Sequence, residues 1–281
     1  MAGVSEIRPS PIAGTWYTGD AQRLRSQVSA YIEQAHLPAL FGSVVGVVAP
    51  HAGHRFSGRT AGYAFAALRG AVPDLVAVVS PMHQPYPGSI LTTAHRAYAT
   101  PLGEIWVDED ARARLEAELV GSGLDLVRVA NDSEHSLEIE LPFLQVALAS
   151  EFKILPLMVR SQSPRIAMQL GQALGRALKG RNCLLVGSTD LSHFYPEEKA
   201  CELDLEMLRR LRSFSPDDLF AAERTGKGFA CGVAAVAAVL WASRELGADS
   251  VEILHHSTSG DETGDRSSVV GYGAAAILKS V

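Results

Sequence analysis

The sequence has few cysteines and no long apolar run. Only three cysteines occur among 281 residues, Cys183, Cys201 and Cys231, and no two of them form a CxxC pair. An odd and sparse set excludes a disulfide framework and a structural zinc finger. The longest apolar stretch, residues 232–243, is too short to span a bilayer, and residues 1–10 lack the apolar core of a signal peptide. We therefore expect a reduced, cytoplasmic protein that does not enter a membrane.

Basic residues are not in excess either. The chain carries 25 Lys and Arg against 31 Asp and Glu, a formal net charge of −6. A general nucleic-acid binder needs a basic face, so this balance argues against nucleic acid as a partner. The sequence also lacks a Gly-x-x-x-x-Gly-Lys-Ser/Thr phosphate loop, a strand-linked Gly-x-Gly-x-x-Gly and a Gly-x-Ser-x-Gly motif. Nucleotide binding therefore has no motif support, and a serine hydrolase is disfavoured.

What the sequence does contain is a core-forming α/β pattern, with 47% hydrophobic residues. Strands are predicted at residues 44–48, 75–79, 153–159, 182–186, 251–254 and 269–278. Helices are predicted at residues 21–35, 60–68, 109–119, 136–149, 165–178, 197–211 and 232–246. Strands that are apolar on both faces suit the centre of a sheet covered by helices. We therefore predict an α/β fold with one domain over residues 1–281, a sandwich with a central mixed, largely parallel sheet flanked by helices.

Histidines follow three of the predicted strands: His51 the first, His83 the second and His193 the fourth. In open α/β sheets, ligands bind beyond the carboxyl ends of the strands. If these strands are parallel neighbours, the three histidines converge on one crevice. The pattern therefore predicts a site at this end of the sheet.

Two interpretations are open for His51 and His83. A neutral imidazole is the commonest side-chain donor to transition metals, and the nearby Pro50 and Pro81 would stiffen the backbone around such a ligand. The alternative is a histidine that is hydrogen-bonded at the end of a strand. As a pair, the two favour metal ligation. His54 would form a ligand pair with His51 on a helix, but the glycine between them favours a loop.

Cys231 stands directly before the predicted helix at residues 232–246. A helix N-terminus lowers the pKa of a thiol, so a thiolate there suits metal binding or nucleophilic attack. A small buried apolar residue is the alternative interpretation. Asp190 and His193 have the spacing Asp-x-x-His, which suits a pair that orients ligands or transfers protons. They are equally well read as a helix-capping aspartate with a surface histidine nearby.

His135 lies within an acidic run at residues 131–140. Asp132 or Ser133 is expected to cap the following helix, and carboxylates in a first helical turn suit the helix dipole. This interpretation covers the glutamates of the run. It leaves His135 unexplained, because a cation is disfavoured at that end of a helix.

In these residues the sequence resembles the Memo-like family, whose bacterial and archaeal members are called AmmeMemoRadiSam system protein B. Eight segments carry the resemblance in order: Ala-Gly-Thr-Trp-Tyr at 13–17, Ala-Pro-His-Ala-Gly at 49–53, Ser-Pro-Met-His at 80–83, Tyr-Ala-Thr-Pro-Leu-Gly at 98–103, Glu-His-Ser-Leu-Glu at 134–138, Pro-Phe at 142–143, Ser-Thr-Asp-Leu-Ser-His at 188–193 and Cys-Gly at 231–232. No single segment is specific, but the eight in this order are.

The resemblance implies a fold like that of the class III extradiol dioxygenases, non-haem iron enzymes in which two histidines and a glutamate hold Fe(II). Memo-like proteins are similar but have a cysteine in place of the glutamate. This implies three metal ligands in the present chain: His51, His83 and Cys231. It also implies three residues beside the metal that orient ligands or shuttle protons: His135, Asp190 and His193.

These observations predict a metal-binding redox protein, a non-haem iron- or copper-dependent oxidoreductase acting on an unidentified small molecule or peptide. Fe(II) is the first choice of metal, with Cu or Zn as alternatives, because a thiolate donor also suits these metals. The family context implies an AMMECR-type protein and a radical SAM enzyme as partners. Two other functions stay open: a non-catalytic peptide- or partner-binding protein on the same scaffold, and a zinc hydrolase.

Overall fold

A computed structural model describes residues 5–280 of the chain. Residues 1–4 and 281 of the predicted 1–281 domain lie outside the described range, and so does the start of the segment 1–10. The strands are β1 (Ile7–Arg8), β2 (Ser43–Ala49), β3 (Leu75–Pro81), β4 (Ile90–Thr93), β5 (Ala97–Thr100), β6 (Gly103–Trp106), β7 (Leu126–Val129), β8 (Lys153–Val159), β9 (Cys183–Ser188), β10 (His193–Tyr195), β11 (Ser250–Thr258) and β12 (Val269–Lys279). The helices are α1 (Ala21–Glu33), α2 (His54–Ala66), α3 (Glu109–Val120), α4 (Leu141–Ala147), α5 (Pro164–Leu178), α6 (Glu197–Arg212), α7 (Pro216–Arg224), α8 (Val233–Glu245) and α9 (Gly260–Thr263), with a 3-10 turn at Glu138–Glu140.

A nine-stranded mixed sheet forms the centre of the fold. Its order is β10-β12-β2-β9-β3-β8-β4-β7, and β11 also pairs with β12. The four central strands β2, β9, β3 and β8 are parallel, whereas β12 joins β2 and β4 joins β8 in antiparallel fashion. A second sheet, β1-β5-β6, has three strands. The predicted α/β fold with a mixed sheet flanked by helices is confirmed.

Each face of the large sheet buries its own hydrophobic core. Apolar side chains of α5 and α8 pack on one face, and those of α1, α2 and α4 pack on the other. All seven residues of β3 are buried, as expected for a central strand covered on both sides. Helices α5 and α8 approach so closely at Gly171 that a Cβ there would collide with the carbonyl oxygen of Ala238.

The predicted strands and most of the predicted helices are present, and the differences have local causes. Helix α2 begins at His54, six residues earlier than predicted. The helix predicted at 136–149 is a 3-10 turn followed by α4, because Pro142 lies in the first turn of α4. Strands β4 to β7 were not predicted, since each has only four residues and carries little periodic signal. In residues 5–280, no helix has the length and hydropathy needed to cross a membrane.

Candidate metal centre

The candidate site lies where the carboxyl ends of β2, β9 and β3 meet, since these strands are parallel neighbours. His51 comes two residues after β2, His83 two residues after β3, and Asp190 two residues after β9. Cys231 reaches the same place from the start of α8. The close fit depends on Gly232, where a Cβ would collide with the carbonyl oxygen of Ser188 at the end of β9.

Three side chains that the sequence singled out as metal ligands come together here. The donor atoms of His51, His83 and Cys231 all lie within 4.8 Å of one another. His51 Nε2 and Cys231 Sγ are 3.1 Å apart. His51 is buried, with 2% of its surface exposed, whereas 37% of the His83 side chain is exposed. The cluster is therefore closed at His51 and open to solvent beside His83.

Asp190 fixes the backbone that carries His51. Its Oδ1 atom accepts hydrogen bonds from the N–H groups of His51, at 2.8 Å, and Ala52, at 3.3 Å. Burial raises the pKa of Asp190 to about 7. Burial, with the neighbouring His135 and His83, lowers the pKa of His51 well below its usual value. His51 is therefore a neutral imidazole, the form that binds metals.

His83 is held by Glu134, a residue that sequence reasoning missed. Glu134 accepts hydrogen bonds from the backbone N–H of His83, at 2.6 Å, and from its Nδ1, at 3.0 Å. Burial alone would lower the pKa of His83, but its hydrogen bond and charge interaction with Glu134 raise it. Carboxylate–histidine pairs of this kind orient metal ligands and fix their tautomer. The signal that sequence reasoning passed over was a glutamate adjacent to His135.

The acidic run at residues 131–140 therefore works differently from the prediction. Its carboxylates are not exposed on a helical turn, since four of them are buried: Asp132, Glu134, Glu138 and Glu140. Asp132 does not cap a helix in the described structure; it pairs with Arg8, which is itself 1% exposed. Glu138 and Glu140 do lie in the first turn of the 3-10 segment, as the dipole interpretation expects, but they also have buried partners on distant segments, Arg8 and Ser188.

His135 joins the histidine cluster. Its ring stacks on His83, with centroids 5.0 Å apart, and lies 5.6 Å from the ring of His51 and 4.0 Å from that of Trp16. Burial lowers the pKa of His135 to about 4, despite the opposing effect of Glu134. His135 is therefore neutral near pH 7 and has access to the open side of the site.

His193 follows β9 as predicted and begins the short strand β10. Its ring contacts those of Phe194 and Phe229, with centroids 5.7 Å and 5.6 Å away. Among residues 5–280, its buried Nδ1 has no hydrogen-bond partner. Burial lowers the pKa of His193. This imidazole is therefore neutral and has an unused polar atom.

The thiol of Cys231 departs from the prediction that a helix N-terminus lowers its pKa. Burial, together with the nearby Asp190, raises the pKa of Cys231 instead. The sulfur accepts a hydrogen bond from the backbone N–H of Asp190 at 3.3 Å. His54 also differs from its predicted loop position, because it opens α2 and its Nε2 donates to the carbonyl of Ile139 at 3.1 Å.

A cavity of about 550 Å³ lies beside the loop that follows β2. Its wall includes the aromatic side chains of Trp16, Phe56, Phe194 and Tyr272. Phe194 is 75% exposed and Trp16 is 37% exposed. Of the described residues that line the cavity, none is Lys or Arg. Polar residues, including Asp265, complete the lining, and Trp16 links the cavity to the histidine cluster through its contact with His135.

Known proteins of one family are similar to this sequence over nearly its whole length. The family model described as "Memo-like protein" matches residues 8–276. A MEMO1 family protein of Nitrosopumilus maritimus is 33% identical over 272 residues, covering 95% of this chain and 98% of that protein. A MEMO1 family protein of Methanococcoides burtonii is 34% identical over 276 residues, covering 97% of this chain and 100% of that protein. A solved structure of an uncharacterized Escherichia coli K12 protein aligns with a TM-score of 0.48 and 16% identity, over 72% of this chain and 86% of that one.

Proposed function

The chain belongs to the Memo-like protein family, and from this membership and the geometry of its site we propose that it is a metal-dependent oxidoreductase whose metal is held by His51, His83 and Cys231. The observation that carries the proposal is the convergence of three donor atoms within 4.8 Å from three distant segments. A single histidine at a strand end can be explained by a structural hydrogen bond. Two imidazoles and a sulfur directed at one point are a donor set that transition metals use.

The chemistry of the donors fits a divalent or soft monovalent ion. His51 is neutral, and the buried carboxylate of Glu134 compensates positive charge next to His83. Nitrogen and sulfur donors suit iron, copper and zinc. We propose Fe(II) as the resident metal and copper as its rival, since a thiolate also favours copper.

A bound iron or copper ion would supply one-electron redox chemistry at coordination positions left open by the three ligands. The remaining residues have distinct tasks. Asp190 holds the backbone of His51, and Glu134 holds the ring of His83. His135 and His193 are neutral imidazoles beside the cluster, and we assign to them the transfer of protons to and from the substrate. The aromatic cavity would receive the small-molecule or peptide substrate.

A second candidate function is binding without catalysis. It is favoured by the exposure of Trp16 and Phe194 beside the site, since exposed aromatic side chains are typical of binding surfaces. The AMMECR-type protein and the radical SAM enzyme implied by the family resemblance are the partners we propose for such a surface. A zinc hydrolase is a third, weaker candidate, because the same nitrogen and sulfur donors suit zinc.

Elemental analysis and EPR on anaerobically purified protein test the proposal, with wild type compared with Cys231→Ser and with Cys201→Ser as the matched control. We expect stoichiometric iron or copper in wild type and Cys201→Ser, and loss of the metal in Cys231→Ser. Zinc as the sole metal would support the hydrolase instead. Absence of a transition metal from wild type, even after anaerobic reconstitution with Fe(II) or Cu(I), would refute the metal-dependent function and leave the binding function.

A further inference from the structure

A buried polar chain lies behind His51, on the side away from Cys231. His51 Nδ1 is 2.9 Å from the hydroxyl oxygen of Ser188, at the end of β9. The same hydroxyl oxygen lies 2.7 Å from Glu140 Oε1 and 2.8 Å from the carbonyl oxygen of Ser136. Ser188 and Glu140 are both 0% exposed. The second carboxyl oxygen of Glu140, Oε2, has no hydrogen-bond partner in the described part of the chain.

The number of hydrogen atoms available determines which of these groups donate and which accept. Ser188 has one hydroxyl hydrogen and two lone pairs, whereas the Ser136 carbonyl can only accept. If the Ser188 hydroxyl donates to Ser136, the oxygen of Glu140 can approach Ser188 only as a protonated carboxyl that donates to it. The remaining lone pair of Ser188 then accepts from His51 Nδ1. In this arrangement Ser188 is saturated, and the unpartnered Oε2 is the carbonyl oxygen of a neutral acid.

An ionised Glu140 would leave more of these hydrogen-bonding groups without a partner. The Ser188 hydroxyl would then have to donate to Glu140, and the Ser136 carbonyl would lose this donor. The free charge would also be fully buried, with one oxygen unpartnered, which is costly in a protein interior. Burial raises the pKa of Glu140 well above its usual value, and the nearby Asp190 raises it further. Two independent considerations therefore favour the neutral form.

We propose that Ser188 and Glu140 are positioning residues of the metal centre: a neutral Glu140 donates to Ser188, and Ser188 donates its one hydrogen to the Ser136 carbonyl. Ser188 can then only accept from His51, which keeps the proton of His51 on Nδ1 and leaves the Nε2 lone pair directed toward Cys231. The ligating nitrogen of His51 is thereby selected by a residue that has no contact with the metal. The role of the pair in metal binding rests on the proposed function. The protonation of Glu140 and the tautomer of His51 do not, because they are properties of the metal-free protein.

Three variants separate this role from a merely structural one. Ser188→Ala removes the acceptor for His51. Glu140→Leu removes the donor to Ser188 at similar volume. Glu140→Gln supplies an amide N–H in place of the carboxyl O–H and keeps the chain intact. Ser243→Ala is the matched control, since Ser243 is another fully buried serine, on α8, whose hydroxyl has no partner within residues 5–280. Circular dichroism of each variant verifies the fold.

The metal-free protein is measured first. We expect the carbonyl stretch of a protonated carboxylic acid in its infrared spectrum, recorded well above pH 7 so that Asp190, whose pKa is about 7, is ionised, and we expect Glu140→Gln to lose that band. We also expect nitrogen NMR shifts that assign the proton of His51 to Nδ1. Absence of that band, or a His51 proton on Nε2, would overturn the inference. These two readouts decide it even if wild type binds no metal, a result that would count against the proposed function alone.

Co(II) binding is measured next, by the sulfur-to-cobalt charge-transfer absorption. Removal of a residue that hydrogen-bonds to a metal ligand typically lowers the metal affinity 10–100-fold. We expect losses in that range for Ser188→Ala and Glu140→Leu, and near-wild-type affinity for Glu140→Gln and Ser243→Ala. Wild-type affinity in Ser188→Ala and Glu140→Leu would overturn the positioning role. A Glu140→Gln variant as weak as Glu140→Leu would overturn the neutral state of Glu140.

Discussion

Replacement of Arg8 by methionine tests whether the loop that carries Glu134 is fixed from the N-terminal strand. Arg8 donates to Asp132 Oδ2 at 3.1 Å and Oδ1 at 2.8 Å, and to Glu138 Oε2 at 2.5 Å. It also donates to the backbone carbonyl of Glu134 at 2.9 Å. Arg8→Met preserves most of the apolar stem but removes every one of these donors. Two carboxylates would then be buried without their cation.

The size of the effect follows from this burial. The side chains of Arg8 and Asp132 are 2% and 1% exposed, and that of Glu138 is 0% exposed. Breaking a buried ion pair by removing one partner costs about 3–5 kcal/mol, because an uncompensated charge stays buried. With an unfolding entropy of about 2.1 cal/mol/K per residue, such a loss lowers the melting temperature of this 281-residue chain by about 5–8 °C.

Thermal and urea unfolding followed by circular dichroism measure the effect, with Arg96→Met as the matched control. Arg96 pairs with Glu6 at 2.7 Å, but the two side chains are 63% and 53% exposed, and surface pairs contribute less than about 1 kcal/mol. An Arg8→Met protein that unfolds at the same midpoint as Arg96→Met would refute the reasoning. We also expect Arg8→Met to weaken metal binding, since the carbonyl of Glu134 loses its anchor.

Three further predictions concern other parts of the site. Burial lowers the pKa of His54 from 6.5 to about 4. As the pH falls through this range, the unfolded chain takes up a proton that the folded chain does not, so the free energy of unfolding should drop by about 3 kcal/mol. In urea titrations, His54→Gln should remove this part of the pH dependence. Gly232→Ala should destabilise the fold and weaken metal binding, because the new Cβ would collide with the carbonyl oxygen of Ser188; equal melting temperatures and equal Co(II) affinities for variant and wild type would contradict this. In chelator-treated protein, iodoacetamide should modify Cys201 faster than Cys231, because burial and Asp190 raise the pKa of the Cys231 thiol further than burial and nearby carboxylates raise that of Cys201. Peptide mass spectrometry over time shows the order, and faster labelling of Cys231 would be the contrary result.

The acidic run at residues 131–140 shows where prediction from sequence fails. Helix-capping and helix-dipole rules assign its carboxylates to the first turn of a helix, because these rules consider only residues that are close in sequence. The partner of Asp132 is Arg8, 124 positions away, and that of Glu140 is Ser188, 48 positions away. No spacing within the run indicates either contact, so the buried network behind the candidate metal ligands was not predictable.

The site itself was more accessible to sequence reasoning. His51 and His83 follow strongly apolar strands, and strand ends are the places where parallel sheets present their ligands. This positional argument needs only the identity of the strands, which their β-branched composition supplies. Glu134, which hydrogen-bonds to His83, follows no such rule, because its position depends on which loops meet.

The sequence by itself determined the α/β alternation, the position of its central strands and the chemical types available at their ends, because apolar periodicity and residue chemistry are local properties of the chain. The tertiary structure alone decided that β2, β9 and β3 are neighbours, that α8 delivers Cys231 to within 3.1 Å of His51, and that buried carboxylates stand behind the ligands. The physical reason is that proximity and burial arise from packing between distant segments. The same burial sets the protonation states on which the proposed chemistry depends.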